Sequence, residues 1–228
     1  MQNIAFENNL AETAFYVKKE DVYELRWFTP TTEVDLCGHA TLASAYVIFK
    51  FGNRRTDLIT FSSPKSGILT VRKEKGFLIL NFPKDNFKKT NLTDKMNRCF
   101  NTKPVEAYKG HSDYLFIYKN EEEISTILPN LEEISNLDAR GVIVSAEGVN
   151  VDFVSRFFAP QSGINEDPVT GSAHTTLIPY WSENLGKSEM TAKQISDRGG
   201  YLKCKSLDER VEIAGQGALF LEGKIIIS

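Results

Sequence analysis

Hydrophobic and polar positions along this chain change period repeatedly, and each change marks a new element. Gln2 to Asn9 reads as a short amphipathic helix with Ile4 and Ala5 on one face, ended by the Asn8-Asn9 pair, since asparagine tolerates a left-handed cap. Thr13 to Val17 and Tyr23 to Thr29 alternate apolar and polar residues, as half-buried antiparallel strands do. Ala40 to Phe51 returns to helical spacing through Leu42, Ala45, Tyr46 and Phe49, and Gly52-Asn53 stops it. Leu58 to Ser62, Gly67 to Arg72 and Phe77 to Asn81 read as a strand series punctuated by Pro64, Lys75-Gly76 and Pro83.

Lys84 to Thr93 is polar and asparagine-rich and is expected to link two half-domains, residues 1–84 and 85–228, the first of which the C-terminal strand could complete. Beyond it, Thr93 to Cys99, Glu121 to Ile127 and Asn130 to Ile134 suggest short helices. Tyr114 to Tyr118, Gly141 to Ser145 and Val151 to Phe158 have strand character. Ser172 to Leu185 is the second long helix, capped by Gly186. Three strand-like runs close the chain: Tyr201 to Lys205, Glu209 to Ile213 and Ala218 to Ile227. The order predicts an α+β fold of two sheets, each wrapped about one long helix.

A repeat supports two matching halves. Arg26-Trp27-Phe28-Thr29-Pro30 leads to Cys37-Gly38-His39-Ala40, and Arg156-Phe157-Phe158-Ala159-Pro160 leads to Gly171-Ser172-Ala173-His174. Each copy runs from a strand through a glycine turn into a helix. Helix starts expose N–H groups without partners, which carry partial positive charge and attract carboxylate or phosphate. Two such starts meeting across a cleft would make an anion site.

Composition narrows the partners. A net charge of −3 with scattered Lys and Arg, in which Arg54-Arg55 and Lys88-Lys89 are only pairs, gives no reason to expect nucleic acid or an acidic membrane. No apolar run reaches the roughly 20 residues that span a bilayer. Three widely spaced cysteines, Cys37, Cys99 and Cys204, point to reduced thiols in the cytoplasm rather than a disulfide scaffold. The three histidines lack metal-ligand spacing, so no metal is expected.

Three segments carry candidate chemistry. In Asp35-Leu36-Cys37-Gly38-His39, Cys37 beside a helix start is either an activated thiolate or a small buried hydrophobe. In Asn165 to His174, Asp167-Pro168 holds Asp167 extended, which aims its carboxylate; Asp, Thr and Ser there serve equally as ordinary helix caps. In Glu7 to Thr13, a carboxylate at a helix-to-strand corner can face a cleft as a general acid or base, or be a surface glutamate. His39 can shuttle protons near neutrality, and His174, one turn into its helix, reads as structural.

Together Glu7 to Phe15, Arg26 to Pro30 with Glu33 to Thr41, and Glu166-Asp167-Pro168-Val169-Thr170-Gly171-Ser172-Ala173 resemble the PhzF-like phenazine-biosynthesis isomerase family, from end to end of the chain. The resemblance implies a diaminopimelate epimerase-like fold: two pseudo-symmetric halves, each a β-barrel-like sheet around a central helix, with the active site between them. It implies a homodimer and proton transfer on a cyclic carboxylate without a cofactor. It places Glu12 on the catalytic acid/base, His39 and Asp167 on assisting groups, and Gly38, Gly171 and Ser172 on the substrate-contacting turns. It also implies further N-terminal strands around a Gly-Asn-Pro turn, which this chain, starting at Met1-Gln2-Asn3, is expected to lack.

Within such a fold, epimerases and racemases use two opposed cysteines, one at each helix start. Cys37 stands at the first, but Asp167 to Ser172 holds no cysteine, so a single carboxylate, Glu12, is the better expectation. The alternatives are an amino- or hydroxy-acid epimerase or racemase, and a silent carboxylate-binding protein.

Overall fold

A computed structural model describes residues 1–52 and 56–226. The first run is α1 (Gln2–Asn8), β1 (Thr13–Lys19), β2 (Val22–Phe28), β3 (Glu33–Val34), α2 (Gly38–Phe51), β4 (Leu58–Ser63), β5 (Gly67–Glu74) and β6 (Phe77–Pro83). Then come β7 (Lys88–Thr90), α3 (Asp94–Arg98), β8 (Glu106–Lys109), β9 (Asp113–Ile117), α4 (Glu121–Thr126) and α5 (Leu131–Ser135). The last run is β10 (Gly141–Glu147), β11 (Phe153–Phe158), a 3₁₀ turn at Pro160–Ser162, α6 (Gly171–Leu185), β12 (Glu189–Gln194), β13 (Gly200–Ser206) and β14 (Arg210–Gly215).

One continuous mixed sheet runs β1-β2-β4-β5-β6-β14-β13-β12-β11-β10-β9-β8-β7, with β3 beside β2. The repeat in the sequence is a repeat in the topology. β1 and β2 pair antiparallel, α2 follows, β2 pairs parallel with β4, and β4, β5 and β6 continue antiparallel. β10 and β11 pair antiparallel, α6 follows, β11 pairs parallel with β12, and β12, β13 and β14 continue antiparallel. The two runs join edge to edge where β6 meets β14. Residue 84, the expected division between halves, falls between β6 and β7.

Period-two alternation decides which face each strand buries. Tyr23, Leu25 and Trp27 of β2, Leu69 and Val71 of β5, Leu80 and Phe82 of β6, and Val211 and Ile213 of β14 point into one core with Ala45 and Ile48 of α2 and Leu177, Ile178 and Trp181 of α6. β10 is covered on both faces, which is why it reads as an unbroken apolar run. Ile143 joins the large core, while Val142, Val144 and Ala146 pack with Phe100, Phe116, Ile124 and Phe158 beneath the short helices. The buried Ser145 hydroxyl bonds the Val154 carbonyl and accepts the Trp181 indole N–H, leaving neither group unpaired.

The repeat is also visible in side chains. Arg26 makes a two-pronged ion pair with Glu33 and lies 5.2 Å over the Phe28 ring. Arg156 does the same with Glu166 and lies 5.0 Å over Phe158. Each arginine therefore ties the strand that carries it to the segment that leads into the following helix.

Several elements depart from the sequence reading. The expected link at Lys84 to Thr93 contains β7, which pairs with β8 at the sheet edge. It is also docked to α6. Pro179 has no N–H for the Thr175 carbonyl, and the Asp85 N–H takes that carbonyl at 3.1 Å, while Thr176 donates to the Asp85 carboxylate. The strand expected from Ala218 to Ile227 is absent over residues 218–226. β14 is already paired on both sides, so the tail that follows it cannot extend that ladder, and Phe220 and Ile226 stand 98% and 89% exposed. Ile227, like Asn53 of the expected helix stop and the Arg54-Arg55 pair, lies outside the described residues. β7, β8 and β12 had no counterpart in the pattern because they are short and rich in Lys, Thr and Glu.

Candidate active site

The two long helices begin against each other. A Cβ built on Gly38 would sit 2.5 Å from the Gly171 Cα, and one on Gly171 would sit 2.6 Å from the Gly38 Cα. Only glycine permits this approach. Both helix N-termini therefore open on one narrow cleft, with about 360 Å³ of empty space counted out to its mouth. Every residue singled out from sequence lines it: Glu12, Cys37, Gly38, His39, Asp167, Gly171 and Ser172. Sequence reasoning missed Arg140, which also lines it.

His39 stands between two carboxylates. Its Nε2 is 3.2 Å from Glu12 Oε2, and its Nδ1 is 4.0 Å from Asp167 Oδ1. Nδ1 also lies 3.2 Å from the Val169 carbonyl, which can only accept, so Nδ1 carries a proton and Nε2 addresses Glu12. Glu12 Oε2 and Asp167 Oδ1 are buried and make no hydrogen bond to any described residue. Burial by itself would lower the His39 pKa, but the anionic groups around it, the Glu12 and Asp167 carboxylates among them, hold it well above its ordinary value. Burial pushes the Asp167 carboxyl upward, with Glu12 adding to the rise and His39 opposing it.

Cys37 caps α2, and its sulfur lies 3.8 Å from His39 Nδ1. Burial raises its pKa, against the pull of His39, so the thiol stays protonated rather than becoming the activated thiolate that a helix start could have produced. In α6 the matching cap is Thr170. The correspondence continues one turn on: the Thr41 hydroxyl bonds the Cys37 carbonyl at 2.6 Å, and His174 Nδ1 bonds the Thr170 carbonyl at 2.8 Å.

A second buried network sets the α6 turn. Gln194 of β12 accepts the Thr170 N–H at 2.7 Å and donates to the Asp167 carbonyl at 2.6 Å. The Thr170 hydroxyl donates to Asp167 Oδ2. Asp167 thus has one oxygen held and one left toward His39. Gln194 left no signal in the sequence, since a glutamine in a polar strand acquires its role only when β12 lies under the α6 turn. Ser172 accepts from Arg140 Nη2 at 3.0 Å, and Arg140 is itself paired with Asp113.

Glu12, Cys37 and His39 offer donor atoms that all lie within 4.8 Å of one another, the group among the described residues that could hold a cation. Sequence spacing hid it because the three reach the cleft from an α–β corner and a helix start.

His174 has a readable consequence. It is fully buried, its Nε2 has no partner among the described residues, and burial pulls its pKa down to about 4 from 6.5. The folded state keeps it neutral while the unfolded chain protonates below 6.5, so it removes stability as pH falls from 6.5 toward 4. His39, with its raised pKa, contributes stability that is fully present below 6.5 and is lost only as pH rises through its folded value, so the two windows do not overlap. Urea unfolding between pH 6.5 and 5 should lose about 1 kcal/mol per pH unit through His174, and His174→Leu should flatten the slope by about that amount. An unchanged slope would show that His174 is not held neutral.

The fold and cleft have known relatives. The chain belongs to the phenazine biosynthesis-like PhzC-PhzF family, whose model matches residues 1–223. It is an isomerase by this membership and by its relatives. It is similar to an uncharacterized isomerase from Pseudomonas aeruginosa, 44% identical over 228 residues, covering 100% of this chain and 87% of that relative. It is similar to a PhzF-family crystal structure from Enterococcus faecalis, with a TM-score of 0.93, 45% identity, and coverage of 99% of this chain and 86% of that one. A probable proline racemase from Agrobacterium radiobacter, solved with bound carbonate, shares the fold at a TM-score of 0.65 and 8% identity, covering 95% of this chain and 76% of that one. The fold is the diaminopimelate epimerase-like one.

Proposed function

We propose that this isomerase moves a proton between carbons of a small cyclic carboxylate without a cofactor, using Glu12 as its one acid/base. The observation that carries this reading is the Glu12 carboxylate: a buried oxygen whose polar neighbour is His39 Nε2 at 3.2 Å, beside the point where two helix N-termini touch. The substrate carboxylate lies against the turns at Gly38 and Gly171. Their N–H groups and the positive ends of both helices take up charge as a neighbouring C–H loses its proton. Glu12 removes that proton and returns it at another carbon, and the double bond moves with it. His39, held cationic between Glu12 and Asp167, orients the Glu12 carboxylate before each transfer.

The occupant of the second cap favours one base over two. A racemase needs a base on each face of the substrate, and the position matching Cys37 is Thr170. Incubation with cyclic carboxylates in D₂O, followed by NMR, separates the readings. A proton shift gives a constitutional isomer with deuterium at a new carbon. Epimerisation labels one stereocentre and leaves the skeleton unchanged. Binding with neither change, seen by calorimetry, would sink the enzymatic reading in favour of a carboxylate-binding protein.

A further inference from the structure

Arg140 is committed on one edge only. Its Nε donates to Asp113 Oδ1 at 2.9 Å, its Nη2 bonds Asp113 Oδ2 and Ser172 Oγ, and its carbon centre lies 5.2 Å from the Phe157 ring. Nη1 makes no hydrogen bond to any described residue, and it is not among the buried polar atoms left without partners. Nη1 is therefore not sealed from solvent. Burial would lower the pKa of this arginine, but Asp113 outweighs it, with Glu12 adding, so the guanidinium stays charged.

That open edge lies at a junction. Arg140 and Ser172 line both the narrow cleft and an adjoining wider groove of about 1460 Å³ counted out to its mouth. The carboxylates along this groove are engaged: Glu33 by Arg26, Asp35 by Lys65, and Asp85 by the His111 N–H and Thr176. They leave the guanidinium as the donor at the passage from cleft to groove. Nη1 can still donate a charge-assisted hydrogen bond to a carboxylate oxygen, in a direction that the held Nε and Nη2 fix and that a flexible lysine would not fix.

We propose that Arg140 recognises a second carboxylate on the substrate, so that the enzyme acts on a cyclic dicarboxylate: one carboxylate at the Gly38–Gly171 turns, the other on Arg140, and the proton-bearing carbon between them over Glu12. The inference rests on the functional reading above. It adds a substrate class to it and assigns Arg140 a binding role. The Asp113 pair orients the guanidinium, and its held edge fixes the direction of the free one.

Calorimetry with benzoate and the three benzenedicarboxylates on the full chain tests this. One dicarboxylate should bind at least about ten-fold more tightly than benzoate, the worth of a charge-assisted pair. Arg140→Gln should erase that preference while leaving benzoate affinity unchanged, and Arg140→Lys should restore it only in part. A merely structural arginine would weaken both ligands together. Should Arg140→Gln fail to fold, the wild-type preference decides by itself, and equal affinity for benzoate and all three dicarboxylates overturns the proposal. Benzoate binding without such preference overturns the second subsite alone, whereas binding of neither class overturns the carboxylate cradle at the glycines, and this proposal with it.

Discussion

Glu12→Gln should fold as the parent does and lose about 10²–10⁴-fold in turnover, the usual worth of a positioned proton-transfer group. The substitution keeps size and shape. Glu12 Oε2 makes no hydrogen bond to a described residue, so the amide forfeits only the ion contact with His39, which Asp167 on its other face still balances. An amide accepts no proton from carbon under these conditions, so the step stops while the helix termini still hold the substrate. Affinity for a carboxylate ligand should change little. Turnover, ligand affinity and the melting temperature measured together separate these effects. A Glu12→Gln variant that keeps most of the parental turnover would remove Glu12 from its role.

Gly171→Ala should destabilise the protein by about 1–3 kcal/mol and abolish tight carboxylate binding. In an ordinary helix the same change stabilises by about 0.5–1 kcal/mol, because alanine has less freedom to lose on folding. Here the sign reverses. The new methyl carbon would lie 2.6 Å from the Gly38 Cα, and both atoms belong to backbone or are fixed to it, so no side-chain rotation relieves the clash. The helix starts must separate, and with them the N–H groups that hold the anion. Gly38→Ala should act alike, and the double variant should cost less than the sum of the two, since the first methyl already forces the helices apart. Urea unfolding reads all three. A Gly171→Ala protein as stable as the parent would mean that the two helix starts are not in contact in solution.

Legibility from sequence followed the reach of the interactions. The duplicated Arg–aromatic–Phe–x–Pro pattern was readable because each arginine serves its own loop, Arg26 to Glu33 and Arg156 to Glu166, within ten residues. The long helices were readable from apolar spacing and the main strands from alternation, because each buries one face in the large core. Glu12, Gly38, His39 and Asp167 were nameable because the motifs around them resemble a family. Arg140, Asp113 and Gln194 were not, because an isolated arginine, aspartate or glutamine is indistinguishable from a surface residue until the sheet brings it under a helix start. The tail failed for the converse reason. Its apolar residues fit a strand, but it follows β14, which is paired on both sides, and over residues 218–226 it pairs with neither edge strand.

By itself the chain determined its periodicities, its two glycine-led helix starts and the absence of a cysteine at the second of them, because these depend on residue type and near neighbours. Only the tertiary structure decided that the two glycines touch, that Cys37 is buried and protonated, that His39 sits between Glu12 and Asp167, and that Arg140 lines the cleft with its Nη1 unbonded to any described residue. Each of these depends on distance and desolvation across elements far apart in sequence, where charge interactions and burial set the chemistry and residue order does not.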